Sequence, residues 1–173
     1  MNTPVTTKRM ILRRFTHEDV DHLVALDSDP EVMRYLTGGE PTPRVAIERE
    51  LLPRLIDEGA RSTFGRWAAI ERLTGDFVGW FALDPKADLE LGYRLRRSAW
   101  GKGYATEGSL VLIEYAFASG ARRVYAETMA VNASSRRVLE KVGMRHVRTF
   151  HPHFDHPIPG TEHGEVEYEI LAP

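Results

Sequence analysis

Two glycines, Gly101 and Gly103, stand two apart where a strand-like stretch meets a helix-like one. The stretch before them alternates apolar residues at Leu89, Leu91, Tyr93 and Leu95. The stretch after them, from Tyr104 to about Ser119, is strongly apolar and reads as a helix. Glycines at such a turn let the backbone approach a ligand closely. The first amides of the following helix have no partner within the helix, and its dipole adds partial positive charge. Together these features suit an anion, best a phosphate or pyrophosphate. Arg94, Arg96, Arg97 and Lys102 add full positive charges nearby. A bland alternative is a tight turn that needs two glycines. No Gly-Lys-Ser/Thr ending follows, and Thr106 occupies the third glycine position of a dinucleotide-binding loop.

A second stretch with chemical content runs from Asn132 to Met144. At minimum it is a capped helix, with Asn132 at its start and Gly143 as its stop. Glu90 is the first candidate for a base, because it alternates away from Leu89 and Leu91 just before the phosphate loop. A solvated edge carboxylate is its plain alternative. Glu107, in the first turn of the long helix, suits dipole compensation or a structural role. His146, His151, His153, His156 and His163 invite a metal reading, but their intervals match neither a helical pair nor a finger pattern. No metal is therefore assigned.

The segment Trp100-Gly101-Lys102-Gly103-Tyr104-Ala105-Thr106-Glu107 resembles the pyrophosphate loop of the GNAT superfamily of N-acetyltransferases, whose pattern is Gln/Arg-x-x-Gly-x-Gly/Ala. Gly103 and Ala105 match, and Trp100 replaces the Gln/Arg, as in the branch resembling ribosomal-protein-alanine N-acetyltransferases. The spacing Asn132-x-x-Ser135, then Lys141-x-Gly143-Met144, resembles the family's second cofactor segment. The resemblance covers nearly the whole chain and implies acetyl-CoA as co-substrate. It implies cofactor contacts from Leu95, Arg96, Trp100, Gly101, Lys102, Gly103, Tyr104, Ala105, Thr106, Asn132, Ser135 and Arg137, with Arg136 less firmly placed. Many members carry a proton-donating tyrosine where Leu139 stands, and leucine has no proton to give. In the ribosomal-protein branch a serine at the position of Ser135 takes that role, so Ser135 becomes the candidate general acid.

The implied reaction is direct attack of a primary amine on a thioester. It needs no cysteine, and the chain has none. A lysine-like amine is about 1 in 1,000 neutral at pH 7, a cost of roughly 4–5 kcal/mol, whereas an α-amine of pKa about 8 costs roughly 1.4. A base therefore helps. A backbone N–H around Tyr93 to Leu95 is the candidate donor to the oxyanion. The acceptor expected is a peptide N-terminus, an amino acid or a small amine. Asp155, Glu162, Glu165, Glu167 and Glu169 make the C-terminal region acidic, which would attract a cationic amine. A CoA-binding sensor without turnover is the alternative from another class, and a metal-dependent enzyme using the histidine loop is a third.

Elements to position these residues can be read along the chain. A strand is expected from Lys8 to Phe15, a helix after Thr16, a break at Asp29-Pro30 and a short helical turn from Glu31 to Leu36. A helix from Pro43 is expected to kink or break at Pro53 and stop at Gly59. Strands follow at Thr63–Glu71, Asp76–Leu83 and Ala87–Leu95, then the long helix, a strand at Arg122–Val131, a helix to Val142, and strands at Met144–Phe150 and His163–Leu171. The expected class is α/β: a GNAT-type mixed, mostly antiparallel sheet of about seven strands flanked by about four helices, in a single domain over residues 1–173.

Composition fits that expectation. The chain has 173 residues, 42% apolar and 28% charged, with a formal net charge of −2. This size carries one sizeable core. Near-neutral charge offers no bulk attraction to nucleic acid or to an anionic membrane. No apolar run reaches spanning length and no signal-peptide core is present, so a cytoplasmic monomer or homodimer is expected.

Overall fold

Met10 and Leu12 alternate with Ile11 and Arg13. In the computed structural model, which describes residues 4–173, they form strand β2 (Met10–Arg13) with both inward side chains fully buried. β1 (Val5–Thr6) folds back on β2 through a turn in which the Thr7 hydroxyl accepts from the Met10 amide at 2.8 Å. The hairpin β3 (Gly65–Glu71) and β4 (Phe77–Pro85) closes over Glu71, whose carboxylate accepts from the amides of Leu73 and Thr74. β5 (Leu89–Leu95), β6 (Arg123–Met129), β7 (Arg145–Phe150) and β8 (Glu165–Leu171) complete a sheet ordered β1-β2-β3-β4-β5-β6-β8-β7. Every neighbouring pair is antiparallel except β5 and β6. Among the described residues the sheet thus has eight strands, against about seven expected. The addition is β1, whose two residues are too few to show alternation.

Helices cover both faces. α1 (Val20–Ser28) ends before Pro30, and α2 (Pro30–Thr37) starts there, with the Asp29 carboxylate accepting from the Glu31 amide at 3.0 Å. The expected short turn is therefore a full helix. The next helix was expected to kink or break at Pro53 and stop at Gly59; its regular turns are interrupted just before Pro53, and it runs past Gly59. It runs as α3 (Arg44–Ala46), a π turn (Ile47–Leu51) and α4 (Leu52–Arg61). Pro53 has no N–H to give, and the wider turn just before it places the proline in the first turn of α4, where none is needed. Gly59 lies inside α4, where an added Cβ would stand 3.0 Å from Arg14 Cδ. The helix gives way at Ser62, whose backbone is extended.

α5 (Tyr104–Ala118) and α6 (Ala133–Lys141) pack on the face carrying Phe81, Leu91, Val124 and Tyr168. Gly108 permits this, since a Cβ there would sit 2.3 Å from the Phe81 ring. Leu23, Ile47 and Leu55, from α1 to α4, pack on the other face against Phe15, Ala68, Trp80 and Ala82. The consequence that matters lies between β5 and β6. They pair only at Leu89 with Val124 and Glu90 with Tyr125. Beyond those residues the strands part, and a gap opens toward the glycine loop.

Candidate active site

The loop at the wide end of the gap is built by short local bonds. After β5 comes a 3-10 turn (Arg97–Ala99), and the Trp100 indole N–H donates to the Leu95 carbonyl at 2.8 Å, closing the loop on itself. Gly101 (φ 70°) and Gly103 (φ 83°) both sit in the left-handed region that favours glycine. A Cβ at Gly101 would meet no protein atom within 4 Å, so the space beside it is open to a ligand. The first helical bond of α5 runs from the Glu107 amide to the Gly103 carbonyl at 3.0 Å. The amides of Tyr104, Ala105 and Thr106 precede it and face outward at the positive end of a fifteen-residue helix. These features fit a pyrophosphate.

Of the arginines expected around the loop, Arg94 is committed elsewhere, whereas Arg96, half-buried, and Arg97, exposed, stand beside carboxylates of other segments. Arg94 donates to Asp27 at 2.6 Å, Arg96 faces Asp76 at 3.6 Å, and Arg97 faces Asp29 at 3.5 Å. Lys102 remains exposed in the loop. An arginine not singled out from the sequence holds the loop instead. Arg9 donates to the Lys102 carbonyl at 2.9 Å and to Glu107 at 2.7 Å, and it lies 4.2 Å over the Tyr104 ring. Glu107 also accepts from the Thr7 hydroxyl and the Arg9 amide. Burial pushes the Glu107 pKa up, but these donors outweigh it and hold the carboxyl below its ordinary value. Glu107 is thus structural, as expected.

Inside the gap, alternation decides which backbone groups are free. The Arg96 amide donates to Val78 of β4, with Leu95 opposite Gly79. Alternate residues point the other way, so the N–H groups of Leu91, Tyr93 and Leu95 turn from β4 toward the gap. Across it, Asn132 caps α6, its side-chain carbonyl accepting from the Ser135 amide at 3.2 Å. The Ser135 hydroxyl lies 3.0 Å from the Tyr93 hydroxyl, so one hydrogen bond spans the gap on the helix side. Burial pushes the Tyr93 phenol up to about 12, with the Ser135 bond acting in the opposite sense. Arg136 is engaged with the Tyr168 hydroxyl and the Ala130 carbonyl, whereas Arg137 is exposed. Leu139 is buried in the core.

Glu90 stands on the opposite face of the sheet from Tyr93 and Ser135, at the closed end of the gap beside Tyr125. Its carboxylate is ion-paired with Lys86. The same face carries Glu127 of β6 and, opposite it in β8, Glu167. Glu167 is held below its ordinary pKa chiefly by the Arg148 hydrogen bond, with burial opposing and Arg123 assisting. Glu127 and Glu165 are pushed up, Glu127 by burial and then by the Glu90 and Glu167 charges, Glu165 by burial and then by Glu127. Among the described residues no group of three or more His, Asp or Glu side chains is placed to hold a metal. His146 meets Thr149, His153 meets Asp155 and His163 meets Glu162.

The folded chain therefore brings the glycine loop, Asn132 and Ser135 around one gap, and sets Glu90 on its far face. Sequence reasoning missed Arg9, the Tyr93 hydroxyl and Glu127. One signal was present for Tyr93: it is the sole polar-tipped residue in the inward set Leu89, Leu91, Tyr93 and Leu95.

A sheet parted beside a helix start suited to a pyrophosphate fits a CoA-dependent acyltransferase. Residues 9–145 match the family model described as acetyltransferase (GNAT) domain, and the chain belongs to that family. It is an acyl-CoA-dependent N-acyltransferase whose co-substrate is acetyl-CoA. The chain is 37% identical, over 95% of its length and 74% of the relative's, to the FsC-acetyl coenzyme A-N(2)-transacetylase of Aspergillus fumigatus. Among solved structures, it superposes on the microcin C7 self-immunity acetyltransferase, in complex with acetyl-CoA and AMP, with a TM-score of 0.82 at 13% identity, covering 99% and 98% of the two chains. A ribosomal L7/L12 alpha-N-protein acetyltransferase in complex with coenzyme A gives 0.80 at 16% identity, with 98% of each chain covered. Both show a shared fold. Among the described residues no helix is long and apolar enough to cross a membrane.

Proposed function

We propose that the protein moves an acetyl group from acetyl-CoA directly to a primary amine, with an α-amine as the preferred acceptor and residues 1–173 acting as one domain. The observation that carries this reading is the gap between β5 and β6, with open amides at its mouth and Ser135 on its wall. In this reading Gly101 to Thr106 hold the pyrophosphate and Asn132 and Arg137 hold the rest of the cofactor. The thioester supplies an activated acyl carbon. The gap-facing N–H groups of Tyr93 and Leu95 receive the oxyanion. Ser135 donates a hydrogen bond to the departing sulfur, and Glu90 takes the amine's proton from the opposite face of the sheet. That separation suits the reaction, because nucleophile and leaving group occupy different sides of the acyl carbon. The N(2) nitrogen in the name of the Aspergillus relative supports an α-amine acceptor. Its lower pKa also makes it the easier amine to deprotonate. The acceptor classes this reading admits are an amino acid, a peptide N-terminus and a small amine, and the protein acts as a monomer or homodimer without nucleic acid.

The test is a panel of primary amines with acetyl-CoA, read by release of free thiol. Amine-dependent thiol release, greatest for α-amines at pH 7, is expected. Acetyl-CoA binding without release by any amine would favour a CoA sensor instead.

A further inference from the structure

We propose that Tyr93 is a positioning residue for Ser135. Its phenol donates to Ser135 Oγ across the gap and so turns the serine's own proton toward the departing sulfur. The inference deepens the reaction proposed above and rests on Ser135 facing the thioester. A serine hydroxyl rotates freely and carries one proton, which it can direct to only one acceptor at a time. The two oxygens lie 3.0 Å apart, and either can donate to the other. When charge builds on sulfur, the arrangement that satisfies both hydroxyls has Tyr93 donating to Ser135 and Ser135 donating to sulfur. Hydrogen bonds in such a chain strengthen one another.

The surroundings of Tyr93 hold it in that role. Its ring packs beside Phe81 at 6.0 Å between centroids, and β5 fixes its backbone beside the gap. Its phenol is pushed up to about 12 by burial, so it stays protonated and remains a donor at any pH at which the enzyme works. The same value argues against Tyr93 as the source of a transferred proton. A CoA thiol has a pKa near that of free cysteine, about 8.5, well below that of the phenol, so moving a proton from this phenol to the thiolate is disfavoured. In the proposed step the amine nitrogen bonds to the acyl carbon and the C–S bond breaks. Its electron pair leaves on sulfur, and both hydroxyl protons stay on their oxygens. The thiolate is stabilised by a hydrogen bond and takes a proton later from solvent. Leu139, at the position where a tyrosine would stand in other members, is buried in the core, so the paired hydroxyls supply from β5 and α6 what that side chain cannot.

Tyr93→Phe keeps the ring and removes only the hydroxyl. The expected result is a fall in kcat of about tenfold, the size of one hydrogen bond, with the Kd for acetyl-CoA within about twofold of wild type. The double variant Tyr93→Phe/Ser135→Ala should be no slower than Ser135→Ala, since both act through one proton. A merely structural Tyr93 would instead weaken cofactor binding, or its effect would multiply with that of Ser135→Ala, and either outcome overturns the proposal. Wild-type kcat in Tyr93→Phe, with Ser135→Ala impaired, overturns the Tyr93 role alone. Wild-type kcat in Ser135→Ala overturns the placement of Ser135 on which it rests. 3-Fluorotyrosine at position 93 retains a more acidic hydroxyl and should hold kcat at wild-type level or above. A loss there comparable to that of Tyr93→Phe also overturns the proposal.

Discussion

Glu90 and Glu127 show how the same side chain takes different chemistry from its neighbours. Glu90 shares its carboxylate with Lys86, whereas Glu127 has burial and two carboxylates acting on it and is pushed up. A carboxyl with a raised pKa is a better-matched proton acceptor from an amine, so the two compete for the role of base. The pH profile separates them. If Glu90 is the base, Glu90→Gln lowers kcat/KM at pH 6–7 by at least about tenfold. That defect shrinks as pH rises and the amine deprotonates unaided, and a lysine-like acceptor shows the recovery at higher pH than an α-amine. If Glu127 is the base, Glu90→Gln removes one of the charges that push it up, and the acid limb of the profile moves to lower pH. Glu127→Gln then carries the pH-rescued defect. Steady-state kinetics of both variants from pH 6 to 9 decide the assignment, and wild-type profiles in both would exclude either carboxylate.

At the scale of elements, the loop before α5 depends on the far end of the chain. Arg9 and Thr7 converge on Glu107, so the β1–β2 turn braces the helix start proposed to meet the pyrophosphate. Glu107→Gln keeps the shape and removes the charge. It should cost on the order of 1–2 kcal/mol of stability, or roughly 3–6 °C in Tm for a chain of this length, and weaken CoA several-fold by loosening the Lys102 carbonyl that Arg9 holds. The sign with pH follows from the depressed pKa of Glu107. The brace contributes fully above the ordinary glutamate value and is lost as pH falls through the lower folded value. Wild type should therefore lose stability in acid that Glu107→Gln has already lost, and thermal melts against pH would show the two curves converging. Parallel curves would mean that the brace carries no charge-dependent stability. The loop was legible in the sequence because its signals are local: alternation ending at Leu95, then two glycines, then an apolar helix. The brace was not, since nothing near position 107 announces a partner almost a hundred residues earlier. For the same reason Arg94, Arg96 and Arg97 read as cofactor charges, although Asp27 claims Arg94, and Asp76 and Asp29 of other segments stand beside Arg96 and Arg97. Glu107, Asn132 and Ser135 could be placed by local rules, whereas the Tyr93–Ser135 bond and the π turn before Pro53 required tertiary contacts and a compensation within the helix.

The whole sheet is nearly two sheets. β1 to β5 form one continuous antiparallel run, β6, β8 and β7 form another, and β5 joins β6 through only two facing residue pairs. α5 packing and an ion pair from Arg123 to Asp88, at 3.0 Å in the turn before β5, help hold the second run against the first. A cofactor seated in the gap would add contacts to both runs at once: the α5 amides and β5 on one side, Asn132 and Ser135 on the other. Saturating CoA at about 100 times its Kd should stabilise the fold by about 2.7 kcal/mol, or roughly 5–11 °C in Tm at this chain length. Hydrogen exchange should show slowing in Arg123–Met129 and Ala133–Lys141 as well as in Tyr104–Ala118. Gly103→Val tests the anchoring, because it forces a branched side chain onto a left-handed backbone where the pyrophosphate is expected to meet the amides. A folded Gly103→Val protein should lose most of the CoA-induced Tm shift and its protection in both runs together. Protection confined to the loop and α5 in wild type would mean that the cofactor does not bridge the gap, and an undiminished shift in the variant would mean that its phosphates lie elsewhere.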